Sequence, residues 1–205
     1  MATIITSEQN IPIDESFKVS AGPGAGKTFW LINHIKNVVS NSHKLDVVKK
    51  VACITYTNVG IDTITSRLDM GYDVVEVCTI HSFLYANVVK PYVHLIAKDF
   101  KLKLDSLIVV DDSNFKSEGI AAIVLKSIGK SWFDTKIYLK GLTRAMWRYQ
   151  NHEYKHYKPG YAQSYNLHGR KCYVGNDWYM DFKRWLWSGG YISFDDILYF
   201  SYILL

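Results

Sequence analysis

Eight consecutive residues, Ala21-Gly-Pro-Gly-Ala-Gly-Lys-Thr28, have the composition of a phosphate-binding loop. Small residues let successive backbone N–H groups turn inward around a phosphate, and a following helix adds its positive N-terminal end. A lysine at this position reaches the β- and γ-phosphates of ATP, and the next hydroxyl ligates Mg²⁺. We therefore expect ATP and Mg²⁺ as cofactors, with Lys27 and Thr28 as catalytic residues and Thr28 as the metal ligand. The loop residues expected to bind the nucleotide are Ala21, Gly22, Pro23, Gly24, Ala25, Gly26, Lys27, Thr28 and Phe29.

Ala21 stands where the strict pattern of such a loop has glycine. A glycine-rich turn with an incidental Lys-Thr pair is therefore the alternative interpretation. The surrounding pattern favours the phosphate loop, because a strand-like run at residues 17–21 precedes it and a helical pattern at 27–39 follows it.

The first eighty residues alternate strand-like and helix-like patterns. After the helix at 27–39, a β-branched run at 47–56 predicts a strand, and its apolar residues 51–54 suit burial on both faces. Apolar residues at helical spacing predict a helix over 58–70, and 74–80 predicts the next strand. This order predicts an α/β fold, with a parallel sheet and right-handed crossovers.

Helical patterns dominate after His81. Residues 107–110 predict one strand, residues 120–125 a helix, and Asp134 is expected to cap a helix that continues to Asn151. Residues 161–177 have the pattern of a loop. The sequence Ser193-Phe-Asp-Asp196 resembles a capping box and predicts a last helix over 197–205.

The charge of the chain is unevenly distributed. The net charge is +5, yet the segment between Lys126 and Lys171 has ten Lys or Arg against two acids, a local +8. Within it, basic residues recur every four positions at Lys136, Lys140, Arg144 and Arg148, which predicts a basic stripe on a helix. Such a stripe indicates a polyanionic partner, and a solvated helical face is the alternative.

Bulk properties narrow the class of protein. A chain of 205 residues can form one domain, or one domain with a small satellite. The three cysteines form no C-x-x-C pair, which favours a reducing, cytoplasmic setting. The first residues lack a signal peptide pattern, and no apolar run is long enough to span a bilayer.

Three segments together resemble the UvrD/Rep type of superfamily 1 DNA helicases. That family also has alanine at the position of Ala21. Thr55-Tyr-Thr-Asn58 and the helix after it resemble motif Ia, and Thr79-Ile-His-Ser-Phe83 resembles motif Ib. The later segment Gly190-Tyr-Ile-Ser-Phe-Asp-Asp-Ile-Leu198 is similar to the stretch that precedes motif II.

The resemblance implies a fold and a domain order. The fold would be a P-loop NTPase (RecA-like) parallel sheet with flanking helices and a mainly helical inserted subdomain. Residues 1–89 would begin motor domain 1A, residues 90–188 would be a basic, 1B-like insertion, and residues 189–205 would return to domain 1A.

The resemblance also assigns roles to single residues. Gln9 would read the adenine, although it lies closer to the phosphate loop than is usual in the family. The implied partners are single-stranded or partly duplex DNA and the remaining helicase domains, 2A and 2B. The residues implied to contact DNA at strand ends are Thr55, Tyr56, Thr57, Asn58, His81 and Ser82. The alternatives are a helix cap at Thr57-Asn58 and a packed core histidine at His81.

The aspartate–glutamate pair of motif II does not occur in these residues. We therefore expect an ATP-dependent DNA helicase as the full-length parent, and an isolated chain that binds ATP without turnover. The alternatives are a truncated, non-catalytic nucleotide- or DNA-binding module and a P-loop NTPase of another family. His152-Glu-Tyr-Lys-His156 matches a zinc peptidase signature, but an exposed basic segment is the favoured interpretation.

Overall fold

The structure is a computed structural model of the chain. It describes residues 4–45, 49–68, 74–111, 118–127, 146–150, 153–157, 165–167, 170–172 and 176–205, together with the single residues 129 and 135. The chain divides into two compact units, Met1–Phe83 and Leu84–Leu205. None of the helices in the described ranges is long and apolar enough to cross a membrane.

The described part of unit 1 is built mainly from two long helices and two parallel strands. The elements are α1 (Lys27–Asn41), β1 (Val51–Thr55), α2 (Asn58–Leu68) and β2 (Val75–Thr79), followed by the short helix α3 (Ile80–Leu84) at the unit boundary. Strands β1 and β2 pair in parallel, which confirms the predicted strand–helix–strand order. The buried residues of the core of unit 1 are Ile32, Ile35, Cys53, Ile64, Leu68 and Val75.

Two predictions for unit 1 are wrong. Residues 17–21 form no strand, and Phe17 instead packs its ring edge-on against the aromatic rings of Trp30 and His34. Strand β1 is not buried on both faces: Cys53 is buried, whereas Ala52 is exposed and Ile54 is 43% exposed. The reason is that α1 and α2 supply apolar residues to the cluster around Cys53, on one face of the strand.

Unit 2 begins with a series of short helical turns. These are a π-helical turn (Tyr85–Val89), α4 (Lys90–Tyr92), a 3₁₀ turn (Val93–Leu95), α5 (Ala97–Phe100) and a second 3₁₀ turn (Leu104–Ser106). The later elements are β3 (Ile108–Val110), α6 (Glu118–Ser127), β4 (Met146–Gln150), β5 (Glu153–Tyr157), β6 (Tyr165–Leu167), β7 (Arg170–Cys172), α7 (Asn176–Ser188), β8 (Tyr191–Ser193) and α8 (Phe194–Leu204).

The core of unit 2 forms where α7, β8 and α8 meet the first turns of the unit. Strands β3 and β8 pair in parallel. Side chains from α7 and α8 share one cluster with Val89 and Val93. The fully buried apolar side chains of these later elements are Phe182, Leu186, Trp187, Ile192, Ile197 and Phe200.

The predicted helix from Asp134 to Asn151 is wrong at its C-terminal end. Met146–Gln150 is strand β4, which pairs antiparallel with β5. Trp147 and Tyr149 alternate with the polar residues Arg148 and Gln150, and this alternation is typical of a strand. It outweighed the spacing of four residues on which the helix prediction was based. The predicted loop at 161–177 is wrong as well, since it contains the antiparallel pair β6–β7 and the start of α7.

The predicted capping box is confirmed. Ser193 Oγ accepts a hydrogen bond from the backbone N–H of Asp196 at 3.2 Å, and Asp196 Oδ2 accepts one from the backbone N–H of Ser193 at 3.0 Å. Helix α8 begins at Phe194 rather than at Ile197, because the cap satisfies the N–H groups of the first turn.

Candidate nucleotide site and nucleic-acid interface

The glycine-rich segment forms a tight loop directly before α1. Gly24 and Gly26 have φ angles of 73° and 76°, in the left-handed region that favours glycine. A Cβ atom at Gly24 would meet no other atom within 4 Å, so the backbone conformation, and not a lack of space, favours glycine there. Helix α1 starts at Lys27, and no carboxylate of its first turn offsets the positive end of the helix.

The side chain of Lys27 folds back over this loop. Its Nζ donates hydrogen bonds to the carbonyl oxygens of Ala21 at 2.8 Å and Gly22 at 2.6 Å. Lys27 is exposed, so its ammonium is accessible from solvent, and Thr28 is half-buried in the first turn of α1. A cation and a hydroxyl at the N-terminus of a helix are the groups that a phosphate and its Mg²⁺ require.

A cavity of about 330 Å³ adjoins the loop. Ala21, Ala25 and Lys27 line it on the loop side. Thr6 and Ser7 line it from the N-terminal segment. The cavity is therefore formed jointly by the phosphate loop and by residues that precede it by about fifteen positions.

Gln9 follows the lining residues Thr6 and Ser7 in sequence but does not itself line the cavity. The carbonyl oxygen of Gln9 accepts a hydrogen bond from Trp30 Nε1 at 3.0 Å. Its side-chain Oε1 accepts one from the backbone N–H of Thr6 at 3.4 Å. The structure thus fixes the backbone of Gln9 against α1, and its role towards adenine stays a prediction.

Sequence reasoning missed the aromatic group that supports this arrangement. Trp30 and His34, one turn apart on α1, stack at 5.0 Å between ring centroids with an interplanar angle of 8°. Phe17 packs edge-on against both rings. His34 is buried and its Nδ1 has no hydrogen-bond partner, and this burial lowers the pKa of the imidazole. The Trp–x–x–x–His spacing on the first helix was the signal available in the sequence.

The motif Ia segment follows the end of β1. Tyr56 is 82% exposed, so it is a surface residue and not part of the core. Thr57 Oγ1 accepts a hydrogen bond from the backbone N–H of Gly60 at 3.1 Å, which is the helix cap considered as the alternative for this residue. A Cβ at Gly60 would collide with the hydroxyl of Thr55, so glycine lets α2 start close to the strand end. Asn58 is exposed at the first position of α2.

The motif Ib segment follows the end of β2 in the same way. Thr79 Oγ1 accepts a hydrogen bond from the backbone N–H of Ser82 at 3.1 Å and donates one to Ser82 Oγ at 2.9 Å. Ser82 is exposed, and His81 is half-buried in the first turn of α3. Thr55 and Thr79 are register partners at the last positions of their strands. The structure therefore brings the two motifs to the same edge of the β1–β2 sheet.

The predicted basic stripe is described only at one of its four positions. Lys136, Lys140 and Arg144 lie outside the described residues. Arg148 lies in strand β4, so its assignment to a stripe on a helix is wrong. Residues four positions apart share one face of a helix, and this spacing has no such meaning where the chain is a strand. The zinc peptidase spacing also fails, since Glu153–Tyr157 is a strand. Among the described residues there is no group of three or more His, Cys, Asp or Glu arranged to hold a metal ion.

Two comparisons with known proteins bear on this site. The chain is 34% identical over 98 residues to the Gabija protein GajB of Bacillus cereus (strain HuB5-5). That alignment covers 47% of this chain and 14% of the relative, so the chain spans a small part of the relative's length. The profile of a family described as AAA domain matches residues 9–130, which include the phosphate loop and both strand ends. The match covers more than half of the chain, so the chain belongs to the AAA domain family. Members of this family have the α/β fold of P-loop NTPases and bind nucleotide with Mg²⁺.

Proposed function

We propose that this chain binds ATP–Mg²⁺ and single-stranded DNA as the N-terminal part of an ATP-dependent DNA helicase or translocase. The observation that carries the nucleotide half of the proposal is the geometry of Lys27. Its ammonium lies over a loop with two left-handed glycines, at the start of a 15-residue helix. Membership of the AAA domain family supports nucleotide binding by this chain.

The residues present fit a bound nucleotide. Backbone N–H groups of residues 24–28 would hold the phosphates, since Pro23 has no N–H group, and Lys27 would exchange its two carbonyl partners for phosphate oxygens. The Thr28 hydroxyl would ligate Mg²⁺, which neutralises negative charge on the phosphates. The ammonium of Lys27 already lies over the loop that would hold the phosphates.

The DNA half of the proposal rests on the edge where β1 and β2 end. Ligands of parallel α/β sheets gather beyond the carboxyl ends of the strands. At this edge Tyr56 presents an exposed ring and Ser82 an exposed hydroxyl, and both belong to segments that resemble helicase motifs. An aromatic ring can stack on a base of single-stranded DNA without regard to sequence.

In this proposal residues 1–89 form the first part of motor domain 1A, and residues 189–205 return to it after the 1B-like insertion. Domains 2A and 2B of a longer protein would close the nucleotide site. Similarity to a relative of which the alignment covers 14% is consistent with a chain that supplies one part of a larger motor.

Titration of the chain with ATP in the presence of Mg²⁺ tests the nucleotide site. The matched pair of variants is Lys27→Ala and Lys36→Ala, which removes another lysine of the same helix. We expect Lys27→Ala to lower the affinity by at least about tenfold, because charge-assisted hydrogen bonds to phosphate are removed, and Lys36→Ala to bind as wild type. Equal affinity of all three proteins would contradict the assignment of the loop.

A further inference from the structure

We propose that Trp30 is a positioning residue for the nucleoside side of the site. It holds residues 4–9 against α1, so that this segment forms one wall of the cavity beside the phosphate loop. The inference rests on the proposed nucleotide binding and adds to it a residue that no helicase motif in this sequence includes.

The indole of Trp30 is held by two aromatic neighbours and by a hydrogen bond at its N–H group. It is 7% exposed, stacks on His34 and receives the edge of Phe17 at 5.7 Å between ring centroids. Its Nε1–H is directed at the carbonyl oxygen of Gln9, 3.0 Å away. Because the indole is held in place, its hydrogen bond restrains the carbonyl group of Gln9 and with it the backbone of the N-terminal segment.

The segment has a second attachment at the phosphate loop. Ser7 lies so close to Gly26 that a Cβ atom built on that glycine would be 3.2 Å from Ser7 Cβ. Between the two attachments the backbone turns, with the N–H of Gln9 donating to the carbonyl of Thr6 at 3.2 Å. Thr6 and Ser7 consequently line the cavity together with Ala21 and Ala25.

The two sides of the cavity have different chemistry. The loop side offers the ammonium of Lys27 and backbone N–H groups, which suit phosphates. The N-terminal segment offers Ile5, Thr6 and Ser7, with apolar surface and hydroxyls but no charge, which suits a nucleoside. Residues 18–20, which include the cation Lys18, and Trp30 complete the lining. Displacing the segment should therefore weaken binding of a nucleotide and leave binding of a bare polyphosphate unchanged.

The test compares ATP with inorganic tripolyphosphate, both with Mg²⁺, on wild type, Trp30→Phe and Trp185→Phe. Trp30→Phe keeps a ring beside His34 and removes the donor to Gln9, whereas Trp185→Phe makes the same change on α7. We expect Trp30→Phe to lower ATP affinity about three- to tenfold and tripolyphosphate affinity less than about twofold, as for removal of one hydrogen bond. The control should change neither.

Each other result has a defined meaning. An equal decrease for both ligands shows that Trp30 merely supports the loop, and no decrease for either shows that the segment does not contribute; both overturn the inference. If wild type binds tripolyphosphate but shows no preference for ATP, the cavity is not a nucleoside site while the phosphate loop stands. If wild type binds neither ligand, the proposed function itself fails.

A second variant keeps the test valid if Trp30→Phe does not fold. Thr6 is exposed and lines the cavity, so Thr6→Trp fills the space without disturbing the core. We expect it to lower ATP affinity about tenfold or more by steric exclusion, with tripolyphosphate binding retained. Ser16→Trp, at an exposed position outside the lining, is the matched control. Unchanged ATP affinity in Thr6→Trp would overturn the inference independently.

Discussion

Thr55 and Thr79 are paired in register at the last positions of two parallel strands, and a helix starts within three residues of each. The side chains that follow them, Tyr56 and His81, belong to segments about twenty-five residues apart in sequence. Parallel pairing with equal strand lengths places both segments at one sheet edge. This relationship makes the proposed DNA contacts testable as a group.

Tyr56 should contribute stacking energy that is independent of charge. Tyr56→Ala should lower affinity for single-stranded DNA about tenfold, because base–aromatic stacking is worth about 1–3 kcal/mol per base. Tyr56→Phe keeps the ring and should bind as wild type. Because Tyr56 is 82% exposed, neither variant should change the unfolding midpoint, which serves as the folding control. Fluorescence anisotropy with a labelled oligonucleotide measures the effect, and equal affinity of Tyr56→Ala and wild type would remove Tyr56 from the interface.

The four basic residues Lys136, Lys140, Arg144 and Arg148 belong to the segment with a local charge of +8, and they should contribute to the salt dependence of DNA binding even though Arg148 lies in a strand. Their joint replacement by Gln should flatten the plot of log affinity against log salt by about 0.7 for each phosphate that the protein no longer neutralises. The control replaces the same number of exposed lysines elsewhere, at Lys90, Lys98, Lys101 and Lys103. A slope identical to that of wild type would identify the four residues as a solvated surface.

His34 should make the stability of unit 1 depend on pH. Burial lowers the pKa of His34 in the folded state below its ordinary value of 6.5. The free energy of unfolding should therefore be at its full value above pH 6.5 and should decrease as the pH falls below 6.5. The reason is that the histidine of the unfolded chain then binds a proton, whereas the buried imidazole of the folded state binds it less readily. Urea unfolding at about pH 7.5 and about pH 5.5 measures this loss of stability. We expect the loss between the two pH values to be smaller in His34→Phe than in wild type.

The control for this prediction is His43→Gln, which removes an exposed histidine from the same unit. That variant should keep the pH dependence of wild type. If His34→Phe and His43→Gln respond to pH in the same way, His34 is not the group responsible.

Lys183 and Asp196 should stabilise unit 2 as a coupled pair. Both side chains are fully buried, with Lys183 Nζ 3.2 Å from Asp196 Oδ1 and 2.8 Å from Ser193 Oγ. Asp196 Oδ2 also accepts a hydrogen bond from Trp187 Nε1 at 3.1 Å. Lys183→Met should lower the free energy of unfolding by about 3–5 kcal/mol, because it leaves a buried carboxylate without its counter-charge.

A double-mutant cycle measures this coupling. Asp196→Asn alone should destabilise by a similar amount, and the double variant Lys183→Met with Asp196→Asn by less than the sum of the two single effects. Urea unfolding of the four proteins provides the values. Strict additivity would show that the two residues do not stabilise unit 2 through their contact.

The amino-acid sequence by itself determined the features whose cause lies within a few neighbouring residues. The left-handed glycines before Lys27, the helical periods of α1 and α2, and the Ser193–Asp196 capping box all follow from local backbone chemistry. The parallel pairing of β1 and β2 was also predictable, because the connecting helix constrains it.

Only the tertiary structure decided features that depend on a partner distant in sequence. The bond from Trp30 to Gln9 spans twenty-one positions, and whether residues 17–21 form a strand depends on a neighbouring strand to pair with. The β4–β5 pair replaced a predicted helix because backbone pairing across strands outweighs a weak side-chain period. The exposure of Ile54, which the sequence predicted to be buried, and the burial of Lys183 were likewise decided by the tertiary structure, since burial depends on what packs against a residue.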